Sequence, residues 1–224
     1  MIIYAADGVT VIWSGTESQM AAEMSRAHRA STDMAGARLA SQALSGVSLS
    51  SAKLSGADLS KAAMSAASLY KCDLSKATLT GADMARATLV KGDLSNAKMG
   101  GVTLSKANLD SAKLSGAFLH ETDMGQATLT KCNFTGADMT GVNCAKADLT
   151  EADLSNADLT GANLSGANLT GANLQKANLT KANLTGANLS KACLAGANLF
   201  DTILTGADLT GVNLFGVDTK SARF

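Results

Sequence analysis

Histidine and cysteine, which often serve in catalysis or metal binding, are few in this chain. His120 stands beside Glu121, a pair that could exchange a proton with a substrate, although a solvated surface corner explains it more simply. No glycine-rich loop ending in Gly-Lys-Ser or Gly-Lys-Thr is present to hold a phosphate. The four cysteines are Cys72, Cys132, Cys144 and Cys193, and no spacing among them resembles that of a zinc site. We therefore expect no enzyme activity, no metal and no cofactor.

The charge balance argues against two classes of partner. Nineteen basic and nineteen acidic side chains cancel, so the chain has no long-range field that steers it toward phosphate or anionic lipid. The opening segment 1–13 lacks a positive flank and contains Asp7, which is typical of neither a signal peptide nor a membrane span. We expect a cytoplasmic protein that binds neither nucleic acid nor membrane directly.

A five-residue repeat positions almost all of these side chains. The chain has no proline and 4% aromatic residues, yet 46% of it is hydrophobic, which is unlike an ordinary globular domain. From Met34 to Leu214 every fifth residue is Leu, Met, Phe or Cys, in thirty-seven consecutive units. A small residue, mostly Ala, stands two positions before each of these, and a polar residue usually lies between them. This pattern has neither the helical nor the strand period and predicts two inward positions per unit.

The repeat resembles the pentapeptide-repeat family, whose motif is A(D/N)LXX. The resemblance is strongest in the run EADLS-NADLT-GANLS-GANLT that starts at Glu151, and it covers about 85% of the chain. It implies an all-β fold, a right-handed quadrilateral β-helix in which four units form one square coil. Residues twenty apart then stack, and adjacent coils lie about 4.8 Å apart. Residues 32–224 would form about nine such coils, with a filled core that leaves no concave pocket for catalysis.

The stacking rule assigns roles to the cysteines. Cys72 and Cys132 fall in one inward column but three coils apart, roughly 14 Å, which is too far for a disulfide. Cys144 takes a leucine position of another column, and Cys193 points outward. We therefore expect three buried thiols and one exposed thiol, in a reducing compartment.

The outward positions predict a polar surface. Asn163 should lie under Asn183 and Asn168 under Asn188, so that their amides can hydrogen-bond along the rod. Aspartates at the middle outward positions alternate with lysines at the corners. Interleaved charges of this kind are typical of a soluble rod.

The first thirty-one residues do not fit the ladder and predict a separate cap, residues 1–31. Asp7-Gly8 separates two short apolar runs, which indicates a two-residue β-hairpin turn. An unbroken register would put Ile2, Tyr4, Val11 and Trp13 on one face, and such a hairpin needs a surface to rest on. The segment from Glu17 to Ala30 has helix-forming residues after possible capping residues, so we expect a short helix there.

Apolar residues at outward positions suggest contact surfaces. The sequence predicts no capping helix at the carboxyl end. We therefore expect end-to-end homodimerisation there, which the resemblance to the family also implies, because several family members dimerise in this way. Its expected anchors are Phe200, Ile203, Phe215 and Phe224. Tyr70 and Val90 stack at one corner and form a second, smaller candidate patch for a protein partner.

The leading functional hypothesis is a non-enzymatic structural or interaction module that presents a regular surface to another protein. The alternative comes from the resemblance, because some family members imitate duplex DNA and bind DNA gyrase and other type II topoisomerases. No loop interrupts the units between residues 34 and 214, unlike the loop-bearing proteins of that quinolone-resistance branch.

Overall fold

The computed structural model describes residues 2–4, 11–14 and 33–224. The first two segments are strands β1, Ile2–Tyr4, and β2, Val11–Ser14, which pair antiparallel. Tyr4 lies opposite Val11, as a two-residue turn at Asp7-Gly8 requires. The register then shifts at a β-bulge, so that Trp13 opposes Ile3 and Ser14 opposes Ile2. The hairpin pairing is therefore present, but the unbroken register from which we placed four side chains on one face is wrong beyond Tyr4.

Two further expectations for this end of the chain stay predictions. The turn residues Asp7-Gly8 and the helix over 17–30 lie outside the described residues. The boundary between residues 31 and 32 lies there as well, since the described coils begin at Asp33. Within the described ranges there is no helix, and hence none that is long and apolar enough to cross a membrane.

Residues 33–224 form the predicted quadrilateral β-helix. Parallel bridges join each middle outward residue to the one twenty positions later, from Asp33 with Lys53 to Ile203 with Arg223. Four five-residue units therefore complete one square coil, because the fourth corner returns the chain above its starting point. We number the four sides by the core residue that each carries, so that face 1 contains Leu164, face 2 Leu169, face 3 Leu174 and face 4 Leu179.

Three kinds of backbone hydrogen bond hold each unit to its neighbouring coils. The N–H of Leu159 donates to the carbonyl of Asn178 at 2.7 Å, the N–H of Asn178 donates to the carbonyl of Ala157 at 2.9 Å, and the corner N–H of Gly161 donates to the carbonyl of Thr180 at 2.9 Å. A fourth bond closes each corner, since the N–H of Ala162 donates to the carbonyl of Leu159 at 3.0 Å. The strands are too short to be stable separately, and this repeated bonding along the rod replaces their length.

Each corner needs one residue in the left-handed region of backbone space. Gly161 has φ 67° and the residue stacked above it, Lys181, has φ 58°. Glycine adopts this conformation without steric cost, whereas a residue with a Cβ is strained there. This explains why glycine recurs at the corners. Lysines occupy many of the other corners, and Lys181 is exposed there.

The core follows the sequence prediction. Leu159 is 0% exposed and Ala157 is 1% exposed, and the same two positions are buried in unit after unit up to Leu204. Phe134 takes a leucine position and is also fully buried. Alanine is required beside leucine because a square coil has no room for a second large side chain.

The polar residue of the motif shapes the coil as well as its surface. The Oδ1 of Asp158 accepts the backbone N–H of Thr160 at 3.0 Å, and the Thr160 hydroxyl donates to the same oxygen. This is an Asx turn, in which a side chain satisfies the backbone two residues on. The same pairing recurs at Asn168 with Thr170 and at Asn178 with Thr180. The Asx turn accounts for the preference for Asp or Asn before the leucine and for Ser or Thr after it.

The last coil differs from those before it. Leu209, Val212 and Val217 are only half-buried although they hold inward positions, and Leu214 is 37% exposed. In the described structure no further coil lies above them, so one side of each is uncovered.

Substitutions at Leu159 and Ala157 test the filled core. We expect Leu159→Ala to leave a cavity that lowers the free energy of unfolding by about 2 to 5 kcal/mol. Ala157→Leu should overpack the same coil and lower it by about 1 to 3 kcal/mol. Urea unfolding followed by circular dichroism measures both effects. Lys181→Ala is the control, because it alters an exposed corner; a core variant as stable as this control would contradict the inward assignment.

Candidate interaction surfaces

Three side chains project from every unit, and they define the surface that a partner could contact. Two belong to the Asx turn, and the third is the corner residue. Because residues twenty apart stack, each outward position forms a straight column along one face of the rod. A surface patch therefore consists of residues that are distant in sequence but regularly spaced.

Amide side chains link several of these columns along the axis. Asn163 donates to the Oδ1 of Asn143 at 3.1 Å, and Asn143 donates to the Oδ1 of Asp123 at 2.8 Å. Asn183 does stack above Asn163, and Asn188 above Asn168. Four of the axial bonds, however, run from Asn to an Asp of the preceding coil, as from Asn168 to Asp148 at 3.3 Å. The carboxylate takes this place because a charged acceptor makes the stronger hydrogen bond.

The candidate patch at Tyr70 and Val90 lies on face 2. Tyr70 is 38% exposed and Val90, directly above it, is half-buried. The Lys71 ammonium lies 5.2 Å from the centre of the Tyr70 ring, within the range of a cation–π contact. Lys91 lies one coil above Lys71, in the same corner column. The structure thus adds two positive charges to the apolar pair, and sequence reasoning did not connect them with it.

The four residues expected at the carboxyl end occupy two levels of the rod. Phe215, 82% exposed, and Phe224, 62% exposed, belong to the last coil. Phe200 is 53% exposed but lies one coil earlier. Ile203 is half-buried and bridges Arg223 of the last coil, so it is part of the ladder. These residues also lie on different faces, and the structure gathers no more than Phe215 and Phe224 at the end itself. Leu214 joins them there, which sequence reasoning missed because Leu214 keeps the inward phase.

The side chains that could have done chemistry are dispersed or buried. His120 is exposed and its ring covers Gly100, so closely that a Cβ on Gly100 would lie 2.3 Å from the ring. No group of three or more His, Cys, Asp or Glu residues is arranged to hold a metal in the part of the chain that the structure describes. Thr140 stacks above His120, but its hydroxyl donates to the Oδ1 of Asp138 at 2.8 Å and so serves an Asx turn.

The cysteines lie where the stacking rule put them. Cys72, Cys132 and Cys144 are buried and Cys193 is half-buried. The thiol of Cys132 donates to the carbonyl of Leu109 at 3.0 Å, twenty-three residues earlier. The Thr122 hydroxyl uses an equivalent inward position to donate to Met99 at 2.7 Å. These groups therefore serve the core, because each provides a hydrogen bond inside an otherwise apolar column.

Charge is distributed unevenly along the rod, although it balances overall. Residues 33–113 contain ten basic and six acidic side chains, whereas residues 114–175 contain two basic and seven acidic ones. Few of these charges pair closely: Lys113 lies 3.8 Å from Asp93 and Lys131 lies 3.7 Å from Glu151. We expected opposite charges to be interleaved on every face, and along the axis this is wrong. The signal was available in the sequence, because position along a solenoid follows position along the chain.

Comparisons with known proteins agree with this fold. A family model described as pentapeptide repeats matches the chain in eight overlapping copies between residues 32 and 218. No curated protein sequence gives a significant match.

Two solved structures show the relationship in three dimensions. One is HetL, a pentapeptide repeat protein involved in heterocyst differentiation regulation from the cyanobacterium Nostoc sp. strain PCC 7120. It has 35% identity and a TM-score of 0.78, over 88% of this chain and 93% of HetL. The other is a trypsin-treated form of QnrB1, a plasmid-mediated fluoroquinolone resistance protein. It has 19% identity and a TM-score of 0.56, over 81% of this chain and 86% of QnrB1, a likeness of fold alone.

Burial of the thiols predicts a pH dependence of stability. Burial raises the pKa of Cys72, Cys132 and Cys144 to about 12, from 9.0 for an exposed thiol. The unfolded chain therefore releases these protons at lower pH than the folded chain does. Their contribution to stability is complete below pH 9 and is lost as pH rises toward 12. We expect the free energy of unfolding in urea to fall across this interval.

The matched variant replaces each thiol by the residue usual at its position, giving Cys72→Ala, Cys132→Ala and Cys144→Leu together. All other side chains are the same in the two proteins. The decline with pH should be shallower in the variant, and identical slopes in the two proteins would contradict the assignment.

Proposed function

This chain belongs to the pentapeptide-repeat family, and from that premise we propose that it is a non-enzymatic structural and protein-interaction module. Its surface is regular and polar, which suits repeated contacts with another protein more than chemistry on a small molecule. The observation that carries the proposal is the Tyr70–Val90 patch, where an apolar pair replaces the Ser or Thr typical of that column.

The patch also indicates the chemistry of its partner. Tyrosine is a frequent anchor of protein interfaces because its ring is apolar and its hydroxyl can hydrogen-bond. Lys71 and Lys91 border the patch, and the residue above Val90 is Asp110, whose carboxylate accepts a hydrogen bond from the Thr130 hydroxyl. A partner with an apolar side chain flanked by acidic groups fits this arrangement best.

Similarity to HetL supports a regulatory role. HetL is involved in the regulation of heterocyst differentiation. A rod of the same family with a similar fold can also serve regulation, and we propose that this chain does so by contact with another protein.

The alternative is a DNA mimic that binds a type II topoisomerase. A uniformly acidic rod would favour it, because duplex DNA carries one negative charge about every 1.7 Å. This chain has no net charge, and most of its local acidic excess lies in residues 114–175. The charge pattern therefore supports the interaction module in preference to the mimic.

We further propose a cytoplasmic location and end-to-end homodimerisation. The location is supported by the thiols, since four unpaired cysteines suit a reducing compartment. The dimer is supported by the exposed phenyl rings of Phe215 and Phe224 and the half-covered side chains of Leu209 and Leu214. A second copy placed end to end would cover all four, and exposed apolar clusters of this kind often mark interfaces.

Substitution of the Tyr70–Val90 patch tests the interaction module. We expect the immobilised protein to retain a defined protein from a lysate of its source organism. The double variant Tyr70→Ser, Val90→Ser should lose it, because the apolar anchor is gone while the coil is unchanged. Quantitative mass spectrometry of the bound fraction measures the difference. The control variant Thr150→Ser, Thr170→Ser alters the same column, but its nearer site, Thr150, lies two coils beyond Asp110. This control should retain the partner protein as the parent does.

A supercoiling assay with DNA gyrase separates the two functions. The interaction module predicts that supercoiling is unchanged at a stoichiometric excess of this protein. Inhibition that persists in the Tyr70→Ser, Val90→Ser variant would favour the DNA mimic and reject the patch as the functional surface.

Light scattering tests the end-to-end dimer. In about 0.5 M sodium chloride, which screens contacts between charges, we expect a mass of twice 22.6 kDa. The double variant Phe215→Ser, Phe224→Ser should be a monomer, because the apolar surface that a second copy covers is removed. Tyr70→Ser is the control and should stay dimeric. A parent protein that is monomeric at tens of micromolar would rule the dimer out.

A further inference from the structure

One column of face 4 carries a positive charge, an aromatic ring and a negative charge on successive coils. Its members are Lys98, Phe118 and Asp138, and parallel bridges join Lys98 to Phe118 and Phe118 to Asp138. We call these three residues the face 4 triplet. Read in the opposite direction the triplet is negative, aromatic and positive, so it complements itself when one copy is reversed.

The triplet leaves an aromatic ring exposed to solvent and two charges without an ion-pair partner among the described residues. Phe118 is 48% exposed and is an aromatic residue in a column of mostly polar residues. Neither Lys98 nor Asp138 lies in an ion pair among the described residues. Asp138 accepts hydrogen bonds from Thr140 through its Oδ1 only.

On face 3 one column contains both the acidic residues and the lysines that neutralise them. There Asp73 and Asp93 stack between Lys53 and Lys113, and Lys113 reaches Asp93 at 3.8 Å. On face 4, by contrast, Asp138 stacks on Asp158, and the coils on either side present Phe118 and Asn178. Two stacked carboxylates without a neighbouring cation repel each other, so a cation supplied from outside stabilises this column.

We propose that face 4 packs against face 4 of a second copy, with the two rods antiparallel. A two-fold axis in the plane of contact, perpendicular to the rods and passing at Phe118, reverses the order of the coils and leaves each column facing itself. Phe118 then meets Phe118 of the second copy. Lys98 meets Asp138 of the second copy, and this ion pair occurs twice by symmetry.

The dimensions suit this arrangement. Sheets that pack face to face lie about 10 Å apart. A lysine and an aspartate directed at one another fill that gap, and so do two phenyl rings in an offset contact. Because one coil advances about 4.8 Å, the triplets of the two copies stay in register over all three levels.

The corner column beside the triplet has the same symmetry. Gly81 and Gly101 lie on one side of Glu121, and Gly141 and Gly161 lie on the other. In the antiparallel pair glycines face glycines at these levels, and the side chains beside them are the flexible ones of Lys61 next to Gly81 and Glu121 next to Gly141.

The like-charged pairs of this arrangement lie at the same corner. Glu121 faces Glu121 of the second copy beside the two-fold axis. Three coils farther out Lys61 faces Lys181 of the second copy. Both are at the solvent-exposed rim, where repulsion is screened, and both lower the affinity without changing the register.

Charge exchange tests the pairing directly, and it is carried out in the Phe215→Ser, Phe224→Ser background so that the end-to-end contact does not contribute. At low salt, sedimentation equilibrium should show a reversible dimer. Lys98→Asp and Asp138→Lys should each weaken it at least tenfold, as expected for loss of close interfacial charge pairs. An equimolar mixture of these two variants should dimerise again, because every facing pair in the mixed dimer is then of opposite sign.

The matched controls are Lys113→Asp and Asp93→Lys, which reverse stacked charges on face 3. They should leave the dimer unchanged, and circular dichroism melts confirm that all variants are folded. Glu121→Gln should tighten the dimer, since it removes the repulsion at the axis, and Phe118→Ser should weaken it. A monomeric background protein, or a mixture of Lys98→Asp and Asp138→Lys that stays monomeric, overturns the proposal. The end-to-end contact uses other residues, so its own failure would leave this result intact.

Discussion

The structure depends on the filling of a narrow square bore by one large and one small side chain per unit. Leu159 and Ala157 show the pair, and both are essentially without solvent contact. This packing fixes the phase of the five-residue units, because a shift by one residue would bring a polar side chain into the bore and expose the leucine. The backbone hydrogen bonds between coils, such as that from Leu159 to Asn178, form only in this register. Packing and hydrogen bonding therefore select the same arrangement.

A core of this kind leaves function to the surface. The inward positions carry thiols and hydroxyls, but Cys132 and Thr122 use them to bond to carbonyl oxygens of the previous coil. The outward residues next to the core serve the Asx turns that shape each coil. What remains variable is the corner and the occasional replacement of a polar residue by an apolar one. Such replacements at Tyr70, Phe118 and Phe215 stand out because the repeat around them is so regular.

The solenoid also converts sequence order into distance along an axis. A charge imbalance between two stretches of sequence becomes a charge imbalance between two levels of the rod, as residues 33–113 and 114–175 show. A globular fold would mix these residues on one surface. Here the imbalance persists, and together with the Asp138–Asp158 stack it gives the rod a direction that a second copy or another protein can recognise.

The sequence by itself determined the period, the two inward positions, the stacking of residues twenty apart and the burial of Cys72, Cys132 and Cys144. These features repeat in every unit, so that each prediction rests on many equivalent positions. Only the tertiary structure decided the β-bulge that places Trp13 opposite Ile3, the carboxylate partners of the asparagine amides and the exposure of Leu214. Each of these depends on what lies across the hairpin or on an adjacent coil, and the five-residue pattern is the same whether that neighbour is present or not.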